Sequence, residues 1–87
     1  MNVIITVIGV DQVGILAKVA TACAQAGANI IDVSQTLMEN YFTMTMMVDI
    51  NGVTLEFNDF KQVVKASCPS MQIHVMHEDI FQSMHQI

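Results

Sequence analysis

Two glycines five positions apart, Gly9 and Gly14, follow directly on the apolar run VIITVI, in the stretch GVDQVGILAKV. A turn of this kind can hold a phosphate, but only if lysine and then serine or threonine follow the second glycine. The lysine meets the phosphates and the hydroxyl meets the magnesium ion. Here those places hold Ile15 and Leu16, and the dinucleotide-binding glycine pattern fails as well. His74, His77 and His85 are potential metal ligands, yet no cysteine or carboxylate set accompanies them at ligand spacing. No nucleophile stands beside a base, and Asp11 is the loop's one acid-base side chain. The chemistry left to the loop is binding by backbone amides, without enzymatic activity, metal or cofactor.

Charge narrows the partners further. Three lysines and no arginine face eight carboxylates, a formal net charge of −5. Nucleic-acid binding depends on counterion release by clustered cations, which this chain lacks. The 87 residues amount to one domain, and 53% of them are apolar against 13% charged. That is more apolar than an ordinary soluble domain, so part of the excess is expected in an interface between subunits. No apolar run is long enough to span a bilayer and no basic segment opens the chain, which reads as a cytoplasmic protein without membrane contact. Cys23 and Cys68 fall in apolar helical patterns, where cysteine behaves as a small buried hydrophobe.

The elements that position the loop follow from periodicity. Residues 3–8 are β-branched on both faces, a central strand that ends near Gly9. From Val13 the period becomes helical, with Leu16, Val19, Ala20 and Cys23 as the apolar stripe and Gly27 where a left-handed cap belongs. From Asn29 the period falls to two. Ile31, Val33 and Leu37 alternate with Asp32, Ser34 and Thr36, and Glu39-Asn40 turns into a second strand with Phe42, Met44, Met46 and Val48 inward. A second helix carries Phe60, Val63, Val64 and Ser67 and ends at Pro69. Residues 71–77 form a fourth strand, with Met71, Ile73 and Val75 on one face. The tail, 79–87, is set apart from the domain at 1–78 as a short helix carrying Ile80, Met84 and Ile87.

The order βαββαβ and right-handed crossovers predict an α+β, ferredoxin-like sandwich, with a four-stranded antiparallel sheet and both helices on one face. The opposite face then carries Ile4, Thr6, Ile8, Asp32, Ser34, Thr36, Thr43, Thr45, Met47, Asp49, Gln72, His74 and Met76. Its apolar members are too many to leave in water, so the tail or another subunit is expected to cover part of them. Other uses of this fold lack their residues here. There is no Cys-x-x-Cys for a metal, no arginine to hold a phosphate, and no aromatic pair on the open face to stack RNA bases.

The stretch DQVGILAKVATACAQAGANIIDVSQ resembles the signature of the ACT domain, a small-molecule-binding regulatory module. The likeness covers nearly the whole chain and is strongest to short stand-alone ACT-domain proteins, in which YFTMTMMVD and HEDIF also recur. A more distant likeness is to the glycine cleavage system transcriptional repressor. The resemblance implies an amino-acid ligand at the interface of a homodimer, held by the first strand-helix loop of one subunit and the start of the second strand of the other. By position these are Asp11, Gln12, Val13 and Gly14, with Asn29, Ile30 and Ile31. Gln12 stands where many relatives carry a basic residue. Three plainer roles compete: Asp11 as a helix N-cap, Gly14 as a site of close helix-sheet packing, and Asn29 as a turn residue. The rival reading of the whole chain is a protein-interaction module with a vestigial ligand site, docking a partner through its open sheet face or edge strands, with Ile4, Ile8, Met47 and Met76 as exposed apolar residues.

Overall fold

A computed structural model describes residues 1–84; His85 and Ile87 of the tail lie outside the described residues. The elements are β1 (Asn2–Val10), α1 (Ile15–Ala26), β2 (Asn29–Met38), β3 (Tyr41–Asp49), α2 (Phe57–Ala66), β4 (Gln72–His77) and α3 (Glu78–Met84). The strands form one sheet in the order β2-β3-β1-β4, every neighbouring pair antiparallel. This is the ferredoxin-like sandwich that the element order predicts.

The core lies between α1, α2 and one sheet face. Val3, Ile5 and Val7 of β1 meet Met44, Met46 and Val48 of β3, Ile73 and Val75 of β4, and Val19, Cys23, Phe60 and Val64 from the helices. Met44 and Met46 are wholly buried, as their core spacing implies. Two helical stripes differ in phase from the expectation. In α1 the buried residues are Ile15, Val19, Ala22 and Cys23, while Leu16 and Ala20 are half-buried. Gly14 sets the first turn, so the stripe starts one residue earlier. In α2, Phe60 and Val64 are buried but Val63 is 39% exposed.

The larger departure is in β2. A bulge between Ile30 and Asp32 puts Ile30 and Val33 against the core and leaves Ile31 half exposed. An extra residue in one strand reverses the alternation on one side of it, so a strict period of two misplaces Ile31. The hairpin turn at Glu39-Asn40 is as expected, with Glu39 at φ 57, the one non-glycine residue of positive φ among the described residues. On the far face, Ile4 aligns with Met47 and Met76, Thr6 with Thr45 and His74, and Ile8 with Thr43 and Gln72. α3 packs on β1 and β4, and its Phe81 lies over this face. Ile4 is consequently only 2% exposed, and Met47 and Met76 are half-buried. Of the four residues proposed as an open docking surface, Ile4 is thus buried, Met47 and Met76 keep part of their surface, and Ile8 remains 44% exposed.

Burial also acts on Cys23, lifting its thiol from the ordinary value of 9.0 to about 11. In the unfolded chain this thiol ionises near 9, whereas the folded chain keeps the proton until about 11. Over that window the unfolded state binds fewer protons, so stability must fall as pH rises. Urea melts at increasing alkaline pH should show that loss in the parent chain. Cys23→Ala should lose less stability over the same pH interval, and an identical slope would contradict the assignment.

Candidate functional site

The β1–α1 loop is fixed at both ends. At its start the β1–β3 ladder closes with Val10 opposite Tyr41, and the Asp11 N–H donates to the Asn40 carbonyl at 2.8 Å. At its end Gly14 adopts φ 85, ψ 14 and serves as the N-cap of α1, with no side chain capping the helix. The first helical bond runs from the Lys18 N–H to the Gly14 carbonyl at 3.0 Å. The amides of Ile15, Leu16 and Ala17 lie ahead of it and carry the positive end of the helix dipole.

Two of the plainer roles are thereby corrected. Asp11 is not the N-cap, because the chain runs three residues further before the helix begins. Gly14 is not a point of close packing either, since a Cβ there would meet nothing within 4 Å. Its requirement is the left-handed backbone, which any residue with a Cβ adopts at a cost.

Gln12 has a role that local sequence does not signal. Its side-chain amide donates to the Ser70 hydroxyl and reaches the Cys68 sulfur at 3.3 Å, tying the loop to the α2–β4 connection 56 to 58 residues away. A basic residue here would present charge to an anion; Gln12 spends its donor on the neighbouring loop. Val13, at the tip, is 95% exposed.

The strand half of the candidate site is built at the opposite end of the sheet. Asn29 is the first residue of β2 and lies opposite Asp49, whose carboxylate accepts the Asn51 N–H at 2.8 Å. It belongs to the ladder rather than to a turn. Ile30 packs on the core and Ile31 projects from the bulge, so Asn29 and Ile31 are the more accessible members. Val10 pairs with Tyr41, whereas Asn29 pairs with Asp49, so the two halves are separated by the length of β3. Eight residues of strand correspond to about 26 Å. One chain therefore does not bring Asp11–Gly14 and Asn29–Ile31 together.

Exposed apolar residues cluster around the loop. Val10, Met38 and Tyr41 occupy one row of the sheet and are 58, 70 and 58% exposed, and Leu37, on the other face opposite Phe42, is 58% exposed. Among the described residues no three histidine, cysteine or carboxylate side chains come together to hold a metal. No described helix is long and apolar enough to cross a membrane.

Comparison with known proteins identifies the family and the fold. The ACT domain profile matches residues 2–76. A UPF0237 protein of Listeria monocytogenes is 45% identical over 89 residues, covering all of both chains. The structure of an ACT domain protein from Streptococcus pneumoniae superposes with a TM-score of 0.80 at 34% identity, over 98% of each chain. A glycine cleavage system transcriptional repressor superposes at 0.68 with 25% identity, over 86% of this chain and 42% of that one. By sequence over nearly its full length, and by fold, the chain belongs to the ACT domain family.

Proposed function

We propose that this chain is a non-catalytic cytoplasmic regulatory module that binds an amino acid between two copies of itself. Asp11, Gln12, Val13 and Gly14 of one copy would face Asn29, Ile30 and Ile31 of the other. The observation that carries the reading is the uncapped N-terminus of α1. Three amides lead into the helix with no side chain hydrogen-bonded as a cap, and a Cβ at Gly14 would meet nothing within 4 Å. A carboxylate suits that position by charge and by hydrogen bonding.

Two further features support an interface between copies. The halves of the site stand at opposite ends of the sheet, so a second chain running antiparallel along the open edge of β2 would bring its Asn29 toward the first chain's loop. The exposed row Val10, Met38 and Tyr41 gives that second chain an apolar surface to cover. The same row also favours the rival, docking of a different protein. Sedimentation separates the two: a dimer in the purified chain supports the first, and a monomer at every concentration supports the second.

Calorimetry with the twenty amino acids tests the ligand directly. At least one should bind and raise the melting temperature in proportion to its concentration. Gly14→Asn is the matched variant, because asparagine tolerates the left-handed backbone while adding a side chain at the start of the helix, where a Cβ meets nothing within 4 Å. It should melt within a few degrees of the parent and bind about tenfold or more weakly. If no amino acid binds, the ligand reading fails; if one binds Gly14→Asn undiminished, the site lies elsewhere.

A further inference from the structure

The sheet face turned away from α1 and α2 has a polar row running straight across all four strands. Ser34 lies opposite Thr45, Thr45 opposite Thr6, and Thr6 opposite His74. Apolar residues flank the row, Ile4, Met47 and Met76 on one side and Ile8 on the other. α3 folds back over it, and Phe81 divides the space beneath into two cavities. The larger, about 350 Å³, has Ile8, Met76 and Phe81 as apolar walls and Thr6, Thr43, Thr45 and His74 as polar ones. The smaller, about 130 Å³, shares Phe81 and Thr45 and adds Asp32 and Ser34.

We propose that this face is a second ligand site, independent of the loop, which takes an uncharged or weakly basic heteroaromatic ring seated against Phe81. Four observations lead to that class of ligand. The larger cavity falls within the range of small-molecule sites, roughly 300 to 1,000 Å³, and has their usual make-up of apolar walls with a few polar groups. The Phe81 ring and the Met76 thioether favour a flat aromatic partner. Among the described residues no side-chain hydrogen bond engages Thr6, Thr43, Thr45 or His74, so hydroxyls and imidazole can both donate to and accept from a ring edge. Charge selects against an acid: all three lysines, Lys18, Lys61 and Lys65, stand on the helices of the other layer, and Asp32 lies just across Phe81. A carboxylate would find no fixed cation here, whereas a ring N–H would find an acceptor.

The test is methyl-detected NMR titration of the full chain with benzimidazole, indazole and adenine, with benzoate as the acidic counterpart. At least one heterocycle should shift the methyl signals of Ile8, Met76 and Thr45, and benzoate should leave them in place. Thr45→Val keeps the shape of a side chain that lines both cavities and removes its hydroxyl; it should bind that ring about tenfold more weakly with little change in melting temperature. Phe81→Ala should lose binding. Gly14→Asn should bind the ring as the parent does, which separates this site from the interface site whatever becomes of the latter. The proposal is overturned if no heterocycle shifts these methyls, if benzoate shifts them equally, or if Thr45→Val binds as tightly as the parent.

Discussion

Gly27→Ala should lower the stability of this chain by about 2–4 kcal/mol, a fall of roughly 10–25 °C in melting temperature for a domain of this size. Two independent costs add at this position. Gly27 ends α1 at φ 91, where its N–H donates to the Ala24 carbonyl and the next N–H, of Ala28, donates to the Cys23 carbonyl. An alanine held in that left-handed conformation costs about 1–2 kcal/mol. A Cβ there would also come within 2.7 Å of the Gly52 carbonyl oxygen, a backbone atom that cannot rotate away. Relief requires moving either the end of α1 or the β3–α2 connection. Gly14→Ala is the internal comparison, because it carries the same backbone cost with no atom within 4 Å of the new methyl. Thermal melts of the two variants measure the steric part by difference. Equal melting temperatures would show that the Gly27–Gly52 approach costs nothing.

Phe60→Ala should cost about 3–5 kcal/mol, the usual range for deleting a buried phenylalanine. Phe60 is 1% exposed and joins α2 to the cluster formed by β1, β3 and α1. Domain stabilities run to about 5–15 kcal/mol in all, so this single truncation should leave a substantial unfolded population at 37 °C. The loss is in packing rather than in any polar contact, and a volume-conserving change nearby should therefore be mild. Met46→Leu, at a wholly buried position, should cost less than about 1.5 kcal/mol. Urea denaturation of the two variants gives the comparison, and a Met46→Leu cost equal to that of Phe60→Ala would mean that side-chain shape, not buried volume, governs this core.

The parts of the fold that depend on short-range chemistry were legible in the chain. The period-two runs around Phe42–Val48 and Ile73–Val75, the helical spacing of Val19 with Cys23, the cap at Gly27 and the turn at Glu39-Asn40 each reflect a preference set within a few residues. The composition of the far sheet face was legible for the same reason, because alternation fixes which side each residue takes once the strand exists. The β2 bulge was not. Residues 29–33 carry no glycine or proline to mark it, and the place where β2 shifts against β3 is settled by which isoleucine fits over the helices. The exact phase of the α1 stripe had the same limit, since Gly14 rather than Asp11 begins the helix.

For the site, the sequence by itself determined the loop. Without lysine or a hydroxyl after Gly14 there is no phosphate chemistry, and with a glycine leading into an amphipathic helix there are backbone amides to offer. Tertiary structure alone decided what surrounds those amides. It turned Gln12 toward Ser70, set Asn29 at the far end of the sheet from the loop, and laid Phe81 over Ile4. Each of these depends on contacts between residues dozens of positions apart, which no local preference encodes. Only packing of the whole chain brings such residues within reach of one another.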